Sequence, residues 1–545
     1  MSIVDGGRRG RSSRPGPSTE AGPTPESGGA AASPSSGHEI ELKLLVPAGA
    51  FQAILAAPLV MRHARRKPIA RRLEATYFDT PEGLLAAHAV ALRVRKAGRR
   101  FVQTLKTPPG ADPLRRGEYE SPLPGPVLDL SLLPLDQLGP PLSALAADSL
   151  LPLFTTQVRR RVVLLDLPDG VVELAVDEGW IEAAGRREPI SEVELELKSG
   201  DTGALYELAL ALLDIAPLRI GTASKSERGY ALARGTRAKA TKARPTLLSA
   251  DDTADAAILS ILSGCQRHLI ANLPVAEAGQ DVEGVHQTRV ALRRLRSALA
   301  LFRREIPAPA VLALSADSRR LARALGAARN WDVFISSTIP DMAAQQLPDV
   351  DFHGVATLAG PLRAAAYDEA RTALVDQQTT HFLLALGRTI ERRSWRNDID
   401  GSQLAVLTGP ARDFGARALS RLHRKALKQG RHLDRLEPEA RHELRLTLKK
   451  LRYAAEFFLT LFDDGPRASD YLKRLACLQD TLGVANDRAT TSGLLQAIAA
   501  GSRDPDIHRA IGTIIGWQAH AGTAGASTLE REWRGFRKSA PFWSD

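Results

Sequence analysis

The sequence predicts an α+β multidomain chain: an N-terminal antiparallel β barrel of eight strands with flanking helices, then an all-α duplicated helical bundle. Three observations carry this reading. Apolar and charged residues alternate through much of residues 37–235, and on a strand that alternation puts one set on each face. Ala, Leu and Arg recur at helical spacing from about residue 250 to near the end. Within that second half one pattern occurs twice, the mark of an internal duplication.

The chain has 545 residues, 44% of them hydrophobic, so real cores are expected. Lys+Arg 73 against Asp+Glu 62 gives a net charge of +11, which points to anionic partners. The two cysteines, Cys265 and Cys477, lie far apart and exclude a disulfide framework. No apolar run is long enough to span a membrane, and the N-terminus lacks the apolar region of a signal peptide. A cytoplasmic protein without a membrane partner is expected. Aromatics are 5% of the chain, too sparse for a base-stacking platform.

Residues 1–36 are rich in Gly, Pro, Ser and Ala and read as a disordered tail. The first domain runs over 37–235. Its expected strands are Glu39–Val46, Glu74–Asp79, Ala91–Lys96, Phe101–Lys106, Arg116–Ser121, Gln157–Asp166, Val171–Ile181 and Ile190–Leu197. Turn residues Ala97-Gly98 and Pro168-Asp169-Gly170 separate two of the pairs. Helices are expected at Pro47–Ala56 and Asp201–Leu213. Residues 236–250 form a basic linker, and 251–545 the helical domain.

The first strand reads His38-Glu39-Ile40-Glu41-Leu42-Lys43. Glu39, Glu41 and Lys43 share one face, Ile40 and Leu42 the other. Arg93 and Arg95 share a face, Lys106 continues the basic theme, and Arg159-Arg160-Arg161 open another strand. Glu118 and Glu120 alternate around Tyr119; Glu173, Ala175 and Asp177 share a face; Glu192, Glu194 and Glu196 alternate with apolar residues. Lys225 and Arg228 follow the last expected helix of this domain. A barrel with a polar interior accounts for charge on so many strands. Bases would bind a polyanion, and acids would hold a hard divalent cation such as Mg²⁺ or Mn²⁺.

Glu-x-Glu-x-Lys, Tyr-Phe-Asp-Thr-Pro (Tyr77–Pro81), Leu-Arg-Val-Arg, Glu-x-Glu-x-Glu and Ser-Lys-Ser-Glu-Arg-Gly-Tyr (Ser224–Tyr230) together resemble a CYTH domain of the triphosphate tunnel metalloenzymes. The resemblance implies an eight-stranded tunnel that binds a triphosphate and a divalent metal. It implies metal ligation by Glu39, Glu41, Glu194 and Glu196, with Glu192 an alternative register and Glu173 and Asp177 weaker candidates. It implies catalytic roles for Lys43, Lys106 and Arg160, with Arg159 and Arg161 leaving the register open. Substrate binding falls to Arg93, Arg95, Lys225 and Arg228; ion pairing within the wall is an equal reading for Glu120, Glu173 and Arg228.

In the second half, His286-Gln287-Thr288-Arg289 through Leu295-Arg296 matches His442-Glu443-Leu444-Arg445 through Leu451-Arg452. Leu321…Leu325-Gly326 likewise matches Leu478…Leu482-Gly483. His286, Arg289, Arg293 and Arg296 fall on one helix face, as do His442, Arg445, Lys449 and Arg452. Neither stretch interleaves acids that would form i,i+4 pairs with its bases. The pattern resembles a CHAD domain, which implies a basic cleft that binds inorganic polyphosphate. Asn330 departs from the Asp common after Arg329 in that pattern.

The leading expectation is metal-dependent hydrolysis of inorganic triphosphate, beside a polyphosphate-binding helical domain. The alternatives are hydrolysis of thiamine or nucleoside triphosphates, adenylate cyclisation, and a non-catalytic polyphosphate adaptor. Nucleic acid is a less favoured partner for the basic helices, since charge alone does not choose between phosphate polymers.

Overall fold

The computed structural model describes residues 35–107, 115–306, 309–462 and 465–544. The expected tail lies outside them but for its last two residues. The first domain is one antiparallel sheet of β1 (Ser35–Leu45), β2 (Ile69–Asp79), β3 (Ala91–Ala97), β4 (Arg100–Lys106), β5 (Arg115–Leu123), β6 (Leu151–Leu167), β7 (Gly170–Ala183), β8 (Arg186–Gly200) and β9 (Arg219–Ile220). Their order is β5-β4-β3-β2-β6-β7-β8-β1-β9. β1 pairs with β5 through residues 35–40, with β8 through 41–45, and with β9 at Leu44 and Leu45.

The sheet therefore has nine strands, not the eight expected. The ninth is two residues long, too short for alternation to mark it. β2 and β6 also begin earlier than the pattern suggested. Pro152 and the runs Arg71-Arg72 and Arg159–Arg161 hide the period where those two strands pair.

Short helices α1 (Phe51–Leu55), α2 (Pro58–His63) and α3 (Leu84–Ala87) connect the strands. The expected helix over Pro47–Ala56 is a 3₁₀ turn at Ala48–Ala50 followed by α1. α4 (Gly203–Leu213) lays Leu205, Leu208 and Leu212 on the outward apolar residues Leu42, Leu44, Val193 and Leu195. The sheet's apolar side thus faces helices, which leaves its charged side turned inward. α5 (Lys225–Arg234) begins with a capping box: Ser224 accepts from the Glu227 amide, and Glu227 accepts from that of Ser224.

The second domain comprises α6 (Ala254–Ala278), α7 (Val282–Glu305), α8 (Pro309–Ala324), α9 (Gly326–Val333), α10 (Ile339–Ala343), α11 (Phe352–Val375), α12 (Gln377–Glu391), α13 (Gly401–Thr408), α14 (Ala411–Gln429), α15 (Pro438–Phe458), α16 (Gly465–Ala500) and α17 (Pro505–Arg537). The duplicated motifs occupy α7 and α15. Leu292, Leu295 and Leu299 on α7, and Leu444, Leu448 and Leu451 on α15, are buried in one core. Arg294 crosses between the copies to Glu456 at 2.5 Å and lies over the Phe457 ring.

The two domains pack through α4 and α12. Leu384 of α12 is fully buried within the first domain's core. Gly387 lies so close to Tyr206 that a Cβ there would come within 2.1 Å of the ring. Arg392 bonds Asp169 and reaches Asp201 at 3.4 Å, and Arg219 pairs with Glu277. Residues 236–250 form no helix or strand, yet Asn272 of α6 exchanges hydrogen bonds with Thr241. Leu384→Ala removes a buried side chain from a junction with little room to collapse. It should cost about 2–5 kcal/mol and raise amide exchange in α4 and α12 together.

Candidate functional site

β-strand register carries the charged residues inward in rows. Glu41 of β1 lies opposite Glu196 of β8, which lies opposite Glu173 of β7. One step along, Lys43 lies opposite Glu194. Next, Glu192 lies opposite Asp177, and Asp177 opposite Arg160 of β6. Arg93 and Arg95 of β3, Lys106 of β4, and Glu118 and Glu120 of β5 face the same space, a cavity of about 330 Å³.

Two networks divide this space. In the first, Glu194 accepts from Lys43 at 2.5 Å and Lys225 at 2.8 Å, and bonds Arg160. Asp177 accepts from Arg160 at 2.6 Å and Lys225 at 2.7 Å. Burial alone would raise the Glu194 carboxyl, but Lys225, Lys43 and Arg160 overcome it and hold the group well below its ordinary value. Burial would likewise depress Lys43, yet Glu194, Glu41 and Glu192 keep its ammonium well above the usual range.

In the second network, Lys106 binds Glu39 at 2.6 Å and Glu118 at 3.2 Å; Arg95 binds Glu120 at 2.8 Å. Arg93 reaches Glu118 at 3.4 Å and donates to the Tyr77 hydroxyl at 3.3 Å. The row of Glu41, Glu196 and Glu173 is less well compensated. Lys198 reaches Glu196 at 2.5 Å but Glu173 only at 3.9 Å. Burial raises the Glu196 carboxyl, Lys198 opposes that, and Glu39 and Glu173 push it up further.

Two motifs shape the walls through residues set back from the cavity. Asp79 accepts from the amides of Thr80, Leu85 and Ala86 and pairs with Arg234 at 2.9 Å, closing the loop after β2. Gly229 lets α5 approach Phe154, whose ring a Cβ would meet at 2.1 Å. Tyr77 stacks on that same ring at 4.4 Å and Tyr230 meets it edge-on.

On α7, His286, Arg289, Arg293 and Arg296 form a half-exposed strip. Burial and then Arg293, Arg329 and Arg296 lower Arg289 to about 10. Burial, then Arg319, Arg293 and Arg323, also lower Arg296. α8 and α9 therefore add arginines to the strip. On α15, Arg445, Lys449 and Arg452 are half-exposed and His442 is exposed. Arg452 pairs at i,i+4 with Glu456 at 3.0 Å, one turn beyond the stretch read as lacking such pairs. Arg293 donates to the Tyr453 hydroxyl at 3.3 Å, so the two faces adjoin.

A CYTH domain model matches residues 37–230 and a CHAD domain model residues 260–496. The chain is a CYTH domain followed by a CHAD domain. An inorganic triphosphatase of Haemophilus influenzae is 33% identical over 164 residues, 29% of this chain and 45% of that protein. An uncharacterized protein of Mycobacterium tuberculosis is 26% identical over 473 residues, 80% of this chain and 84% of that protein. The crystal structure of the CHAD domain from the plant Ricinus communis shows 30% identity and a TM-score of 0.48, covering 55% of this chain and 97% of that one.

The CYTH cavity gathers Glu39, Glu41, Lys43, Arg93, Arg95, Lys106, Arg160, Glu194, Glu196 and Lys225, with Glu173 and Asp177. Arg160 is the inward member of its triplet: Arg159 is exposed and Arg161 lies over the Phe51 ring. Glu192 shares the inward face but is fully buried behind the cavity. Arg228 lies behind it too, outside the cavity lining. Tyr77, which opens the Tyr77–Pro81 motif, and Lys198 and Arg71 also line the space, though sequence assigned none of the three a site role. The alternation of Lys198 with Glu194 and Glu196 was the available signal.

Glu194 and Asp177 titrate below their unfolded values, so their stabilisation is present above about pH 4. It is lost as pH falls through the lower folded values. Glu194→Gln should cost about 3–5 kcal/mol at neutral pH by leaving buried cations uncompensated. The stability that remains should depend less on acid between pH 7 and the folded value. Amide exchange in β7 and β8 peptides against pH checks both.

Proposed function

We propose that the CYTH domain hydrolyses inorganic triphosphate to pyrophosphate and phosphate with a divalent metal, and that the CHAD domain binds inorganic polyphosphate. The charge balance of the cavity carries this reading. Among the described residues its lining holds eight basic and eight acidic side chains. Bases alone would suit an anion, and acids alone a cation. Equal numbers, partly segregated, suit an anion that arrives with a cation. The Haemophilus influenzae protein named as an inorganic triphosphatase matches within this chain over a CYTH-sized stretch and supports the same reaction. Among the described lining residues Tyr77 is the one aromatic, with one face stacked on Phe154 and its hydroxyl accepting from Arg93. That disfavours recognition of a nucleoside or thiamine, and so cyclisation.

Two carboxylate groups compete for the metal. Among the described residues, Asp177, Glu192 and Glu194 bring ligand atoms within 4.8 Å of one another. They are already held by Lys43, Arg160, Lys225 and Arg228. Like charges directly opposite across a sheet are destabilising, and the row of Glu41, Glu196 and Glu173 is thinly matched: Lys198 reaches Glu196 at 2.5 Å, while Lys43 reaches Glu41 and Lys198 reaches Glu173 only at 3.9 Å. We therefore assign the metal to that row and Glu39, with Glu194 at its border. The all-oxygen donor set fits Mg²⁺ or Mn²⁺. A bound cation there supplies charge neutralisation and polarisation of the attacked phosphorus.

The protein's own part is positioning. Arg93, Arg95 and Lys106 hold phosphate oxygens from one wall; Lys43, Arg160 and Lys225 hold them from the other. Fixed in place, they align the phosphates and neutralise charge growing on the leaving pyrophosphate. Glu194 and Asp177 keep three of these bases extended and oriented before substrate arrives.

Triphosphate should show a higher kcat/KM than ATP when phosphate and pyrophosphate are quantified separately. Arg95→Ala and Lys106→Ala should each lose about 2–4 kcal/mol of transition-state stabilisation. Chelation, or Glu39→Gln with Glu41→Gln, should abolish turnover; activity in exhaustively chelated enzyme contradicts the metal role. For the CHAD domain, Arg293→Glu with Lys449→Glu should remove polyphosphate binding while triphosphate hydrolysis continues. Binding to the unaltered protein should weaken steeply with salt. Tighter binding of DNA or RNA in competition at physiological salt would favour the nucleic-acid alternative.

A further inference from the structure

A second, larger cavity of about 510 Å³ lies where the two domains meet. Val46, Pro189 and Arg228 are on its CYTH side; Leu273 and Glu277 of α6 and Leu383 of α12 close it from the CHAD side. Arg228 stands one helical turn after Lys225. It donates to Glu188 at 2.6 Å, to the Pro189 carbonyl at 2.5 Å and to Glu192 at 3.3 Å. Glu192 is fully buried and also accepts from Lys225 and, at 3.4 Å, from Lys43. One carboxylate is thus shared between an arginine at the junction and two lysines of the triphosphate cavity.

We propose that Arg228 is a positioning residue: acting from the domain junction through Glu192, it sets where Lys225 and Lys43 stand. The inference rests on the triphosphatase reading of the cavity. With Arg228 in place, its guanidinium takes part of the Glu192 charge, and both lysines are free to turn to a phosphate. Without it, Glu192 answers to the lysines alone and draws them back from the cavity. A lysine at 228 keeps the charge but cannot reach three separated acceptors with a planar fork. The same wall touches Lys43 a second way. Arg219, ion-paired to Glu277 of α6, is in β9, and the next residue beyond that strand, Gly221, donates its amide to the Lys43 carbonyl at 2.8 Å.

The test is steady-state hydrolysis of triphosphate by the full chain, wild type beside Arg228→Ala and Arg228→Lys, with thermal melting as the check on folding. Removing a partner that orients a reacting group typically costs on the order of ten- to a hundredfold. That loss in kcat/KM is expected for Arg228→Ala, most of it in KM, with Arg228→Lys between it and wild type. Arg228→Ala leaves a guanidinium-sized space beside an open cavity, so added guanidinium well below denaturing concentrations should restore activity to it and not to wild type. Activity of Arg228→Ala within about twofold of wild type, or a loss that guanidinium does not relieve, overturns the proposal. If Arg228→Ala fails to fold, Arg228→Lys decides: wild-type kinetics in that variant overturn it. A wild type that hydrolyses no triphosphate instead overturns the functional reading beneath it.

Discussion

A charge taken out of water must be matched, and the CYTH domain is arranged around that requirement. Asp177 and Glu192 are completely buried, and Lys43 is 8% exposed. An unmatched ion in such a place costs several kcal/mol. Strand register does the matching. A slip of one residue between β1 and β8 would turn every charged side chain to the opposite face. It would drive Glu194 into Leu205 and Leu208 and bring Leu195 into the cavity. Leu42, Leu44, Val193 and Leu195 resist that slip from outside, packed under α4. The apolar side of the sheet thus holds the register that the charged side needs.

The same matching prepares the bases for a substrate. Long basic side chains lose entropy when a ligand immobilises them. Here Lys43, Arg160 and Lys225 are already immobilised on Glu194 and Asp177. A phosphate oxygen that replaces a carboxylate oxygen exchanges one charge-assisted bond for another and orders little that was free. Preorganisation of this kind is what stabilising a phosphoryl-transfer transition state demands. Equal numbers of acids and bases also keep the cavity neutral through its own ion pairs.

Much of this was legible in the sequence because period-2 alternation and charge coincide. Glu39, Glu41 and Lys43 show their common face without any partner in view. Arg160 did not, since three consecutive arginines satisfy either register; only Asp177 on the neighbouring strand separates them. β9 was invisible because two residues carry no period. Arg228 read equally as a ligand to substrate and as an ion pair within the wall; its partners Glu188 and Glu192, distant in sequence, hold it behind the wall. Helical spacing likewise found the arginines of α7. It could not show that Arg319, Arg323 and Arg329 crowd them from α8 and α9, since that proximity is tertiary.

The two domains meet the same electrostatic problem with opposite solutions. In the CYTH cavity bases are paired with acids, and Lys43, Lys225 and Arg160 hold their protons more tightly than in water. On α7 burial and neighbouring arginines do the reverse, and Arg289 and Arg296 hold theirs less tightly. A cluster of like charge that lowers its own pKa values stores repulsion in the folded state. Any polyanion laid along it relieves that repulsion and gains counterion release as well. A balanced cavity offers no such gain, because an anion entering it displaces carboxylates already paired with the bases. The contrast between a crowded basic surface and a charge-balanced cavity lies in the sign and pairing of the side chains alone.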